Sequence, residues 1–465
     1  MQKTSKLSNA IRLPEPSLKF SPGHGDIANP KYGLMRYHPF DVNMRSRSFD
    51  DLKLGLVCED RFERRITSFT ELFHKEINPV WKQHKVPFTG FRDIFVCEID
   101  TEDISVKYLE DFDLTGTPEE NFENIAITYR KLIHDLRRKA DVVLVQVPPQ
   151  LDDYHKTKGR DLHNVIKRMG VEEQVFTQLL TANVIDNPKQ DISDTIWNLS
   201  VAIYTKRGGI PWTLKEFLPV NSSFIGIVFN ISKTGEKQIV LTGIAQLYNE
   251  FGKQVKCSVT KCEEEGSDFT IDRDIVDGSR SYHLSEEKAE SLISMCLERY
   301  SEIYGTLPEH IVVHKTTYFK DEEKTGIKKA AGDAEVHYIQ VLNFSRGQIY
   351  RTPKETKSGF PVHRGTYWEI EPNKRAILYT SGFLDWADTY PGAGSPTPIE
   401  LRRTDEVDSL QSFANQILAF TKMDWNTCKM IVRMPVTLIY ARRVGNVLRE
   451  GLAPHELIDD VRYYM

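Results

Sequence analysis

Residues 119–148, EENFENIAITYRKLIHDLRRKADVVLVQVP, join two periodicities at one junction. Up to Lys139 the apolar residues recur at helical spacing, and from Ala140 to Pro148 they run almost without interruption. A helix feeding a continuously apolar strand is the unit of a parallel sheet buried on both faces. The same pattern extends upstream. LKLGLVCE (52–59) reads as a strand, DRFERRITSFTELFHKEI (60–77) as an amphipathic helix, and DIFVCEI (93–99) as a second strand. Strand, helix, strand, helix, strand predicts an α/β sheet with helices over its faces.

Downstream, LHNVIKRMGVEEQVFTQ (162–178) reads as a helix running into a short strand. DISDTIWNLSVAIYTKRGG (191–209) reads as a helix that Asp191 or Ser193 caps and Gly208 with Gly209 stops. A boundary is expected near residue 216, because SSFIGIVFNIS (222–232) and KQIVLTGIAQLY (237–248) then follow as adjacent strands joined by a short turn. A long helix (285–305), strands at 310–317, 335–344, 348–351, 365–371 and 375–382, and helices at 406–423 and 436–451 complete the chain. Antiparallel strands, a crossover helix and a further strand resemble an RNase H-like core.

Bulk properties agree with two folded domains. At 465 residues the chain exceeds the roughly 250 to 300 residues at which single cores stop growing. Apolar residues make up 40% and charged residues 27%, without the depletion that marks disorder. The net charge of −5 gives no overall attraction to polyanions, so any nucleic-acid site has to be local. Six scattered cysteines without a CxxC pair read as buried thiols in a reducing compartment. The N-terminus lacks the apolar core of a signal peptide and no run approaches the ~20 apolar residues of a membrane span, so a cytoplasmic location is expected.

The common catalytic signatures are missing: no G-x-x-x-x-G-K-[ST], no G-x-G-x-x-G after a strand, no G-x-S-x-G and no H-E-x-x-H. An RNase H-like nuclease needs several carboxylates to hold two metal ions, yet the strand FIGIVF offers none. The 162–178 stretch carries a different chemistry. His163 and Lys167, four residues apart, share a helical face, and Gln178 follows on the next strand. With Lys206 at the end of the next helix, these groups suit a terminal phosphate.

Several segments together resemble the short prokaryotic Argonautes, which consist of MID and PIWI domains alone. They are the stretch EPSLKF with GDIANPKYGLMRYHPFD, the run His163-Asn-Val-Ile-Lys167 with Gln178, the block WNLSVAIYTKRGGIPW (197–212), FIGIVF, IVVHKTTYFKDEE, FPVHRGTYW, PVTLIYARRVGNVL and the terminal VRYYM. The resemblance implies an extended arm (1–45), a Rossmann-like MID domain (46–215) and an RNase H-like PIWI domain (216–465). It implies His163, Lys167, Gln178 and Lys206 as the set that grips the 5′-phosphate of a guide. A Mg²⁺ ion bridging guide phosphates would be held near Gln178 and the carboxylate of Met465.

In active relatives an Asp-Glu-Asp-Asp/His tetrad cuts the target. By the same resemblance its slots fall here on Val228, Lys315 and Arg442, so no slicing is expected. On this resemblance the length is expected to leave no room for N-terminal and PAZ domains. A partner with an APAZ region is therefore expected to complete the duplex channel and carry an effector, a TIR or SIR2 domain that degrades NAD, or a nuclease. The implied role is immune recognition of plasmid or phage: a guide RNA pairs with single-stranded DNA, and the duplex switches on the partner, with oligomerisation on activation. Two other classes compete. One is a free-standing metal-dependent nuclease using Asp321, Glu322 or Asp333; the other is a nucleotide-binding enzyme, disfavoured by the missing glycine fingerprint.

Overall fold

The computed structural model describes residues 10–21, 27–45, 49, 51–80, 86–110, 112, 114–151, 160–181, 184–185, 191–215, 219–234, 238–273, 280–343, 361–384, 396–404, 409–430 and 432–465. Their strands, in chain order, are β1 (Ile11–Arg12), β2 (Leu18–Lys19), β3 (Asp51–Glu59), β4 (Glu98–Leu109), β5 (Val142–Val147), β6 (Phe176–Thr181), β7 (Thr213–Leu214), β8 (Ser222–Thr234), β9 (Gln238–Asn249), β10 (Gln254–Cys262), β11 (Phe269–Arg273), β12 (Arg280–Leu284), β13 (His310–Lys315), β14 (Glu335–Asn343), β15 (Thr366–Glu371), β16 (Arg375–Leu378) and β17 (Ile399–Arg403). The helices are α1 (Pro30–Tyr37), α2 (Glu63–Thr70), α3 (Phe91–Phe95), α4 (Pro118–Leu136), α5 (Leu162–Glu172), α6 (Ile192–Lys206), α7 (Glu286–Tyr304), α8 (Asp321–Ala331), α9 (Leu410–Phe420) and α10 (Val436–Arg449). They form two compact units, each interrupted in sequence.

The first unit takes in 18–213, 425–428 and 446–465. Its sheet has the order β4-β3-β5-β6, and every neighbouring pair is parallel. That is the Rossmann-like layout the alternating pattern demands, since each parallel pair requires a crossover. Helix α4 begins at a capping box between Thr117 and Glu120, with Pro118 in its first turn. It lays Phe122, Ile125, Tyr129 and Ile133 into a core shared with Val143 and Val145 of β5 and with Leu162, Val165, Ile166 and Met169 of α5.

Three local expectations fail here. Residues 93–97 are not strand: α3 occupies Phe91–Phe95, Val96 turns in the left-handed region, and β4 starts only at Glu98. Buried Phe91, Ile94 and Phe95 obey a helical spacing that a short apolar run cannot reveal by itself. The expected 60–77 helix is a short α-helix flanked by 3-10 turns at Asp60–Phe62 and Glu71–His74. Finally, the 1–45 stretch holds the helix α1, which Asn29 caps, and is divided between the two units at Ser17 and Leu18.

The second unit takes in 1–17, 214–424 and 429–445, so residues 446–465, expected to follow it, group with the first unit. Its nine-stranded sheet runs β1-β15-β16-β17-β14-β13-β8-β9-β10. Strands β8, β9 and β10 form an antiparallel meander; β13 then lies parallel to β8, and β14 parallel to β13. The core order β10-β9-β8-β13-β14 is RNase H-like. Side chains alternate across the sheet, so Ile225, Ile227, Ile311 and Val313 face Leu292, Ile293 and Cys296 of α7 and Ile327 of α8. On the opposite face, a Cβ on Gly226 would lie 2.4 Å from the Thr437 carbonyl at the start of α10. Strand 348–351 lies outside the described residues.

Candidate anion-binding site

Helix α5 starts where the Asp161 side chain accepts a hydrogen bond from the His163 backbone N–H at 2.9 Å. It runs to Glu172, Gln174 just beyond it takes φ +55, and Gly170 lets the chain return closely: a Cβ there would sit 2.7 Å from the Val175 carbonyl. This tight return sets β6 against α5. Lys167, only 2% exposed, donates from Nζ to the Thr177 carbonyl at 2.5 Å.

Helix α6 arrives from the other side. Asp191 caps it, and Gly208 at φ +113 terminates it just beyond Lys206. Its end is held by Asp41, whose carboxylate accepts from the Tyr204 hydroxyl and, at 3.0 Å, from the Ile210 N–H. Burial pushes the Asp41 carboxyl up from its ordinary pKa. Lys206, wholly buried, donates from Nζ to Oε1 of Gln178, and the Gln178 amide nitrogen donates to the Leu179 carbonyl at 3.4 Å.

Lys167, Gln178 and Lys206 thus converge at β6. His163 stands at the exposed first turn of α5, with Nδ1 3.4 Å from Oδ1 of Asn164. The 3-10 turn Val461–Tyr464 packs against α5, β6 and α6, and buried Met465 follows it. Within this turn Arg462 donates to the Lys206 carbonyl at 3.4 Å and lies 5.0 Å from the centroid of the Phe176 ring, while Tyr463 stacks on Phe176 at 4.3 Å. Arg462 and the Thr177 carbonyl were not singled out from sequence. A carbonyl leaves no sequence trace, whereas the basic, aromatic stretch VRYYM did carry a signal.

Chemically, two buried ammonium groups that donate to one strand edge are a donor set suited to a multiply charged anion. The N-terminus of α5 adds a positive dipole end beside His163.

In the second unit the expected nuclease slots carry no carboxylate. Val228 on β8 is half-buried opposite Ile244. Lys315 needs correction. It pairs in register with Ile227, so its side chain lies on the α7 and α8 side of the sheet, away from Val228. The next residue, half-buried Thr316, lies just past the end of the strand.

Lys315 is instead locked at 2.5 and 2.6 Å to both oxygens of buried Glu323. Burial depresses the Lys315 ammonium; burial also opposes ionisation of Glu323, but Lys315 and His283 outweigh it and hold that carboxyl low. Arg442 is exposed on α10, and the neighbouring Arg443 pairs with Asp424 at 2.9 Å. Asp321, almost fully exposed, and Glu322 open α8, whereas Asp333 follows its other end. An 11-residue helix spans about 16 Å, against the ~4 Å between paired catalytic metals.

No family model matches the chain. Two relatives similar in sequence are both named protein argonaute. That of Aquifex aeolicus is 23% identical over 340 residues, covering 72% of this chain and 43% of the relative; that of Cereibacter sphaeroides is 21% identical over 311 residues, covering 65% and 38%. The chain therefore matches less than half the length of these relatives.

Among solved structures, Aa-Ago with externally bound siRNA superposes with a TM-score of 0.64 at 17% identity, over 99% of this chain and 56% of that one. Clostridium butyricum Argonaute bound to a guide DNA and a 19-mer target DNA gives 0.63 at 16%, over 96% and 54%. Drosophila Piwi gives 0.61 at 14%, over 98% and 56%. The fold is that of the Argonaute MID and PIWI regions.

Proposed function

We propose that this chain, Argonaute-like in fold, loads a 5′-phosphorylated guide in its first unit and uses it to recognise a complementary strand without cutting it. The observation that carries the reading is the convergence of buried Lys167 and Lys206 on the Thr177–Gln178 edge of β6. Each ammonium neutralises phosphate charge, Gln178 contributes its amide, and His163 closes the exposed side. Sequence specificity then comes from base pairing, because the protein's contacts go to the backbone end.

The oxygen donors of this chain that suit a hard ion such as Mg²⁺ are Gln178 Oε1 and the Met465 carboxylate beside the Val461–Tyr464 turn. When bound there, Mg²⁺ would neutralise neighbouring guide phosphates.

The absence of carboxylates at Val228, Lys315 and Arg442 supports a recognition role. We assign the downstream activity to an APAZ-containing partner with a TIR, SIR2 or nuclease effector, triggered in the cytoplasm by guide RNA paired with invading single-stranded DNA, in a complex that oligomerises on activation. The short, MID-PIWI form of the family fits this division of labour.

The test compares guides differing only at the 5′ end. Lys167→Ala or Lys206→Ala should weaken binding of 5′-phosphorylated RNA by about 1.5–3 kcal/mol and leave 5′-hydroxyl RNA nearly unchanged. Equal losses on both would refute the assignment. Guide-directed cleavage in Mg²⁺ or Mn²⁺ that Asp321→Ala abolishes would establish the nuclease reading instead.

A further inference from the structure

His310 and Glu335 open β13 and β14, neighbouring parallel strands in which these two residues are direct register partners. Paired residues on adjacent strands project to the same side of a sheet, as do residues two apart on one strand. His310, Glu335 and His337 therefore share one side at the start of both strands. Glu335 Oε2 lies 3.2 Å from His310 Nδ1, and Glu335 Oε1 lies 3.7 Å from His337 Nε2. All three donor atoms fall within 4.8 Å of one another, the one such group of three among the described residues.

In a tetrahedral site with metal–ligand bonds of about 2.0–2.1 Å, neighbouring ligand atoms are about 3.4 Å apart. The carboxylate reaches each imidazole through a different oxygen, at 3.2 and 3.7 Å, so a small rotation of Glu335 brings one oxygen near that spacing from both rings. His337 is buried and backed by the Phe413 ring at 5.0 Å, which fixes its imidazole, whereas His310 and Glu335 are 36% and 41% exposed and leave the ion a route from solvent.

We propose that His310, Glu335 and His337 bind one divalent transition-metal ion of the zinc class, with water in the remaining position. Two imidazoles and one carboxylate favour such an ion over hard Mg²⁺, which prefers oxygen ligands throughout. The ligands come from two strands separated by helix α8, so the ion fastens the starts of both and stabilises the folded unit by mass action. This site lies in the second unit and is independent of guide loading.

The test uses untagged full-length protein stripped with a chelator and titrated with Co²⁺, followed by its visible ligand-field bands, and with Zn²⁺ by calorimetry. One equivalent should bind, Zn²⁺ should raise the melting temperature, and His310→Ala and Glu335→Gln should each weaken binding at least about tenfold. Both substitutions alter half-exposed side chains, so unchanged circular dichroism is expected for them; His337→Gln, at a buried position, serves as the third variant. Absence of Co²⁺ bands, or bands that persist in His310→Ala and Glu335→Gln, would overturn the proposal and leave the trio as an ion-paired cluster.

Discussion

Lys315 and Glu323 form a buried ion pair between β13 and α8. Each is at most 3% exposed, and their pairing is reinforced by His283 Nδ1, 3.3 Å from Glu323. Removing one member strands the other as a buried charge. Glu323→Gln or Lys315→Met should therefore cost about 3–5 kcal/mol, whereas the double Lys315→Met/Glu323→Leu variant should recover most of it in urea unfolding. Additive losses would show that the two do not act as a pair.

His314, the residue before Lys315 and on the other side of the same strand, titrates instead. Burial pushes its imidazole down to about 3, and it contacts Thr437 Oγ1 at 3.0 Å. The unfolded state, with the ordinary pKa of about 6.5, binds the proton first. Stability is thus complete above about pH 6.5 and falls as pH drops toward 3, by up to about 1.4 kcal/mol per unit. His314→Leu should flatten that part of the stability profile.

At the scale of elements, the Lys167, Gln178 and Lys206 cluster depends on two helix ends and the strand between them. Gly170 permits the close turn from α5 into β6, and a Cβ there would press on the Val175 carbonyl. Gly170→Ala should cost about 1–3 kcal/mol and reduce affinity for a 5′-phosphorylated guide even though residue 170 holds no phosphate itself. Normal guide affinity in a destabilised Gly170→Ala protein would separate the turn from the site. Helix α6 contributes in the same way through Asp41 and Gly208, which fix where Lys206 ends. These caps and glycines are visible in sequence as punctuation, but their clearances are set by the partner strand.

Across the whole molecule, all six cysteines are buried thiols, and burial raises those of Cys58, Cys262 and Cys428 to about 12. The native protein at neutral pH should resist iodoacetamide and take up six equivalents only on unfolding; rapid native labelling would contradict this packing. No described helix is long and apolar enough to cross a membrane. The sequence by itself determined the layered α/β architecture, since hydrophobic period and capping residues are local, and it picked out His163, Lys167, Gln178 and Lys206 through a family resemblance.

It misplaced the 93–97 strand, where a short apolar run fits either period, and it put Lys315 in one site with Val228, although a one-residue step turns the two side chains to opposite sides of the sheet. Only the tertiary structure decided that Lys167 and Lys206 meet at β6, and that His310 and His337, 27 positions apart in the chain, stand with Glu335 on one side of the sheet. A parallel crossover makes neighbours of residues that no local pattern links, and it is register, not spacing, that brings charges and ligands together.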